Sequence, residues 1–278
     1  MARIHVGTPG IPLACKGKDT LQGIICVRKL GLDAMEIQFV RGIKMTEKKA
    51  LECRQVAMRE KVLLSVHAPY WINLLSDKQE TVEKSKERIE KSCRIGKIAG
   101  AYICTVHPAY YGKLSREEAK KKLIQALNDI DAEIPIGIET MGKQTQFGSL
   151  EDVVEVVRET GQRIVVDWAH LHARYGGRFK TVDDYRSVLG LIEKELGREA
   201  LKELHQHWTQ VKYKVHAEGV GNEVKHLKWE EGDMNFRDLA QALIDYDVEG
   251  CIICESPVLE DDALKMKAIL KELGISAD

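Results

Sequence analysis

Val165-Val166-Asp167-Trp168-Ala169-His170 carries the signal on which the fold is read. A β-branched run delivers an aspartate, and a histidine follows three residues later. Five other stretches share the design: Leu63-Leu64-Ser65-Val66-His67, Ile103-Cys104-Thr105-Val106-His107, Ile136-Gly137-Ile138-Glu139, Val211-Lys212-Tyr213-Lys214-Val215-His216 and Ile252-Ile253-Cys254-Glu255. Runs of this length read as buried strands, and parallel strands in a barrel present their C-terminal residues at one rim. His, Asp and Glu gathered at such a rim point to a metal site, because imidazole and carboxylate suit Zn²⁺, Mn²⁺ or Fe²⁺.

Outward from these runs the chain alternates strand and helix. Ile4–Gly7 and Ala34–Val40 read as the first two strands, followed by Val62–Val66, Tyr102–Val106, Pro135–Glu139, Arg163–Asp167, a seventh near Val211–His216, and Gly250–Glu255. Amphipathic segments separate them, among them Glu80–Ile98 with Val82, Ile89 and Cys93 on one stripe. Ser115-x-x-Glu118 has the spacing of a capping box. Val182–Leu204 reads as one amphipathic stretch and Ala217–Asn235 as an irregular insertion. The pattern predicts a (β/α)₈ TIM barrel, with residues 1–278 forming a single domain. An open dinucleotide-binding sheet lacks its Gly-x-Gly-x-x-Gly after the first strand.

The charge balance, 42 basic against 43 acidic residues, neither demands nor excludes a nucleic-acid partner, since a local basic rim suffices. The seven cysteines are odd in number and several lie inside apolar runs. They are expected to be free thiols packed in a core, in a reducing compartment. The N-terminus lacks the pattern of a secretory signal, and no apolar run approaches the length of a membrane span. A cytoplasmic protein with no membrane association is expected.

The rim residues carry a resemblance. The chain resembles the endonuclease IV family of apurinic/apyrimidinic endonucleases, within the wider xylose-isomerase-like barrels. The likeness rests on His67 with Tyr70 and Ile72-Asn73-Leu74, His107-Pro108, Glu139-Thr140 with Gly142 and Phe147-Gly148, Asp167-x-x-His170, and Cys254-Glu255-Ser256-Pro257. It implies a first metal held by His67, His107 and a bridging Glu139, and a second held by Glu139, Asp167, His216 and Glu255. A third would take His170 and an Asp-x-His segment, of which His226 is present while Val224 occupies the Asp position. Two firmly bound Zn²⁺ ions are therefore expected, Mn²⁺ or another divalent ion being an alternative, with the third ion weak or absent unless Val224 is made Asp. His172, His205 and His207 are read as exposed or supporting residues.

What the resemblance implies is a DNA-repair hydrolase that cleaves the backbone 5′ to abasic sites and needs no organic cofactor. Metal ions in such a site activate water and relieve phosphate charge. Tyr70 and Arg41 are the candidate DNA contacts, one by stacking and one by wedging. The alternative is a sugar isomerase or epimerase on the same barrel, with one ion among Glu139, Asp167, His216 and Glu255. Glu139 and Glu255 would then move protons at adjacent carbons.

Overall fold

Every apolar run quoted above forms a strand, and all but one of those strands join a single closed sheet. The computed structural model describes residues 3–276. The first half runs β1 (Ile4–Pro9), α1 (Thr20–Lys29), β2 (Ala34–Gln38), α2 (Glu47–Glu60), β3 (Leu63–His67), α3 (Gln79–Ala99), β4 (Cys104–Val106) and α4 (Arg116–Asn128). It continues with β5 (Ile136–Glu139), α5 (Leu150–Thr160), β6 (Arg163–Asp167), α6 (Trp168–Arg174), α7 (Val182–Leu196), α8 (Glu199–Lys202) and β7 (Leu204–Trp208). After a hairpin, β8 (Gln210–Ala217) and β9 (Val220–Leu227), come α9 (Phe236–Asp245), β10 (Gly250–Cys254) and α10 (Glu260–Glu272). The barrel closes in the order β1-β10-β7-β6-β5-β4-β3-β2, and every pair in it is parallel. This is the (β/α)₈ barrel that the alternation predicts.

Local chemistry sets the helix ends. Ser115 Oγ accepts from the Glu118 amide while the Glu118 carboxylate accepts from the Ser115 amide, so the capping box closes as its spacing requires. Val82, Ile89 and Cys93 of α3 are buried as one stripe. No helix among the described residues is long and apolar enough to cross a membrane.

The seventh barrel strand corrects the sequence reading. It is Leu204-His205-Gln206-His207-Trp208, wholly buried and paired in register with both β6 and β10. Val211–His216 is instead part of β8, which pairs antiparallel with β9 outside the barrel. A half-exposed hairpin strand and a barrel strand share the same β-branched alternation, so local pattern alone does not separate them. The real strand is disguised because its interior face carries His205 and His207 rather than apolar residues.

The cysteines need a second correction. Cys15 and Cys26 form a disulfide across a separation of 11 residues, tying the segment after β1 to α1. The other five are buried thiols, as the apolar context predicts. The chain brings Cys15 back onto its own following helix, and such pairings cannot be deduced from spacing.

Candidate metal centre

The C-terminal ends of the strands deliver the site. β3 ends in His67 and β5 in Glu139; His107 follows β4 directly. Asp167 closes β6 and caps α6 by accepting from the His170 amide at 2.7 Å, which fixes His170 one turn above it. His207 comes from β7, Glu255 follows β10, and the hairpin strand β9 contributes Glu223 and His226. His67, His107, His170, Glu223, His226 and Glu255 line one cavity of about 280 Å³, together with Tyr70, Tyr110, Lys143 and Gln146.

Glu139 is the hub. Its Oε2 lies 2.9 Å from His107 Nε2 and 3.3 Å from His67 Nε2. Its Oε1 lies 3.2 Å from His170 Nδ1 and 3.3 Å from His207 Nδ1. Potential ligand atoms converge in groups, among them His67, His107 and Glu139; Asp167, His207 and Glu255; and His170, Glu223 and His226, with Glu139, Asp167 and His170 forming a further group that shares a residue with each. Within each, the atoms lie within 4.8 Å of one another.

Ring orientation supplies the chemistry. His67 Nδ1 faces the Ala68 carbonyl at 2.8 Å, His170 Nδ1 the Thr140 carbonyl at 2.9 Å, and His226 Nδ1 the Glu255 carbonyl at 3.1 Å. A carbonyl only accepts, so each Nδ1 carries the proton and each Nε2 turns its lone pair inward. Those lone pairs face carboxylates: His67 toward Glu139 at 3.3 Å, His170 and His226 toward Glu223 at 3.3 and 3.6 Å. Acceptors facing acceptors in a buried site require a cation between them, either a second ring proton or a metal ion. Glu139 Oε2 and Asp167 Oδ2 are moreover buried without a hydrogen-bond donor. This donor set fits divalent ions bound by imidazole and carboxylate.

Burial and charge compete at these groups. Burial opposes protonation of His170 and His207, yet nearby carboxylates raise both well above the usual histidine range. Asp167 and Glu139 act on His170; Glu36, Glu255 and Glu139 act on His207. Burial raises Asp167 to about 6 against the pull of His170, with Glu139 and Glu255 adding to the rise. Glu223 drops to about 2, since contact with His170 and the charge of His226 outweigh its burial.

Most of the sequence-read residues meet here, and the exceptions are informative. His216 does not: it is exposed on β8, where the Asn222 amide contacts its Nε2 at 2.9 Å. His207 stands in the place expected for it, fully buried, as are His205 and His172. The His-x-His spacing of His205 and His207, period two on one strand face, was the available signal.

The hairpin acid is likewise Glu223 rather than a residue at 224. Val211 pairs with His226, Lys212 with Lys225 and Tyr213 with Glu223, so Val224 has no partner and forms a β-bulge. Val224 and Lys225 both face solvent, and Glu223 returns to the side of His226. Gly142 makes room: a Cβ there would sit 2.8 Å from Glu223 Cβ, and its carbonyl accepts from the Glu223 amide at 3.1 Å. Tyr70 stacks on His107 with ring centroids 5.2 Å apart and is half exposed, as are Trp71 and Tyr110. Arg41 is exposed on the loop after β2.

Comparison with known proteins places the chain in a family. Residues 26–273 match the family described as the xylose isomerase-like TIM barrel. The chain belongs to that family. Within the xylose isomerase-like barrels it is 33% identical over 274 residues to an uncharacterized protein of Methanocaldococcus jannaschii, covering 96% of this chain and 97% of that one. It is 28% identical over 172 residues to a probable endonuclease 4 of Staphylococcus carnosus, covering 58% of each. Among solved structures it resembles endonuclease IV from Thermus thermophilus, with TM-score 0.72, 21% identity, and 95% and 99% of the two chains covered. A D-tagatose 3-epimerase-like protein is comparably similar in fold, with TM-score 0.71, 22% identity, and 95% and 96% covered.

Proposed function

We propose that this barrel is a cytoplasmic, metal-dependent phosphodiesterase of the endonuclease IV kind that cuts DNA 5′ to abasic sites. The observation that carries the reading is the convergence of imidazole nitrogens and carboxylate oxygens in three groups around Glu139, which lies against His67, His107, His170 and His207. His67, His107 and Glu139 would hold one ion; Glu139, Asp167, His207 and Glu255 a second; His170, Glu223 and His226 a third. Zinc suits these donors, and Mn²⁺ is the nearest alternative. Bound ions would activate a water and neutralise charge on the phosphate.

The chain's own residues do the rest. Lys143 at the cavity wall offers a cation to a phosphate oxygen. Tyr70 and Tyr110 present faces on which a base or the edge of an abasic gap can stack. Arg41 contacts the backbone beside the lesion.

A sugar isomerase or epimerase is the second reading, favoured by the small cavity and by the Glu139, Asp167, His207 and Glu255 ring. Glu139 and Glu255 would then be its acid–base pair. Such an enzyme has no need of His107, Glu223 or His226. Metal-loaded protein is expected to nick an abasic-site duplex and to leave a panel of ketoses unchanged. Ketose turnover without nicking would install the isomerase instead.

Metal binding is expected to release protons, because ligation needs neutral imidazole and ionised carboxylate. His170 and His207 have folded values raised above their ordinary 6.5. Their charged forms therefore stabilise the metal-free protein below about pH 6.5, and that contribution is lost as pH rises through the folded values. Asp167, near 6, also gives up its proton on ligation below that pH. Affinity should rise with pH by up to about tenfold per unit for each proton displaced, until pH passes the folded values of these groups. Calorimetry in buffers of different ionisation enthalpy reads the release, and a pH-independent affinity would exclude these histidines as ligands.

A further inference from the structure

His207 is turned the opposite way from His67, His170 and His226. In His67, His170 and His226 a backbone carbonyl takes the Nδ1 proton and Nε2 faces the site. In His207, Nδ1 faces the site, 3.3 Å from Glu139 and 3.6 Å from Glu255, while Nε2 points down the barrel to Glu36 Oε2 at 3.3 Å. No carbonyl anchors it; a carboxylate does.

Glu36 is itself held in place. It projects from β2 into the barrel interior and is fully buried. Its Oε2 accepts from Thr105 Oγ1 at 3.0 Å, Ser65 Oγ at 3.3 Å and His205 Nε2 at 3.0 Å, and its Oε1 accepts from Gln38 Nε2 at 2.9 Å. His205 is fixed from beyond by the Tyr102 hydroxyl, 2.6 Å from its Nδ1. Five donors, from four neighbouring side chains and His207, thus converge on one carboxylate beneath the rim. A neutral barrel core would need none of this, and burying an acid so deeply is costly unless it is paired.

We infer that Glu36 is a positioning residue. It holds the Nε2 proton of His207, fixes the ring with its Nδ1 lone pair toward Glu139, Asp167 and Glu255, and makes that nitrogen a stronger ligand. A carboxylate behind a histidine ligand acts in this way by orienting the ring and raising its basicity. Glu36, His205 and His207 also form a tight triad of donor atoms. A metal buried among them would need His207 Nε2 bare, which is the competing arrangement the test must separate. The inference rests only on the metal-binding part of the proposed function, which the phosphodiesterase and isomerase readings share.

The test needs no substrate. Metal-stripped full-length protein is titrated with Zn²⁺ against a competing chelator. Glu36→Gln keeps volume and one acceptor but loses the charge. It is expected to weaken one ion by about ten- to a hundredfold and leave the others at wild-type affinity. His207→Ala should weaken the same ion, and the double variant should bind no more weakly than His207→Ala alone, because Glu36 acts through His207. Wild-type affinity for every ion in Glu36→Gln, a uniform loss across all ions, or additive losses in the double variant would each overturn the role. If Glu36→Gln is recovered unfolded, wild-type protein loaded with an NMR-active cadmium isotope decides. Metal coupling to His207 Nδ1, with the Nε2 proton retained, supports the inference; coupling to Nε2 overturns it.

Discussion

Glu139→Gln is expected to abolish metal-dependent activity on any substrate and to weaken at least two ions together. The amide keeps the shape of the side chain but removes the charge that four histidine nitrogens approach between 2.9 and 3.3 Å. Its nitrogen would moreover direct hydrogens at Nε2 lone pairs or at an ion. Loss of a hydrogen-bond partner behind a metal ligand already costs about ten- to a hundredfold in affinity, so loss of a shared ligand should cost more than about a hundredfold. In the metal-free protein the folded-state value of Glu139 lies well below the usual carboxylate range: burial opposes ionisation, and the charges of His107 and His207 outweigh it. Its ionised form therefore contributes stability above its ordinary pKa of 4.5, lost as pH falls through the folded value. The variant should then melt lower than wild type at neutral pH without metal, yet keep its far-UV circular dichroism. Chelator competition and melting together check the claim. Wild-type affinity for every ion would remove Glu139 from the centre.

How much of this was legible in the sequence depended on what each residue faces. Strands whose two faces are both apolar, such as Ile136–Glu139, announce themselves as runs, and their terminal His or acid marks the rim. β7 faces Glu36 and the site with His205 and His207 and packs Trp208 elsewhere, so its composition is mixed and residues 205–208 fell between the stretch ending at Leu204 and the strand read at Val211–His216. β8 satisfied every local criterion for a strand, and only the partner it pairs with shows that it lies outside the barrel. Glu36 was visible as the polar member of an alternating strand. That alternation usually marks a solvent face, whereas inside a barrel it marks the axis, a distinction set by closure of the sheet rather than by neighbours in sequence.

The hairpin gives the sharpest case, and a second large effect follows from it. Strict alternation would put Glu223 and His226, three residues apart, on opposite faces. The bulge at Val224 absorbs one residue, so the ladder resumes with Glu223 opposite Tyr213 and its carboxylate toward His170 and His226. Relative to the Asp-x-His spacing in the resemblance, this chain carries one inserted residue, and the insertion is looped toward solvent. Val224 is 55% exposed, so Val224→Asp should add no ligand and leave metal content unchanged. Deleting Val224 should restore regular pairing, with Glu223 two positions from His226 and still facing it. Glu223→Ala should act in the opposite sense. It leaves His170 and His226 as the only side chains of their group, and two neutral imidazoles neither complete a zinc site nor balance its charge. The ion they share should weaken by more than about a hundredfold, beyond the cost of losing an outer partner of a ligand. Elemental analysis after dialysis against metal-free buffer reads this directly: three ions per chain for wild type and for the Val224 deletion, two for Glu223→Ala. Loss of the third ion on deleting Val224, with Glu223→Ala retaining it, would mean that Glu223 is not the residue the bulge delivers.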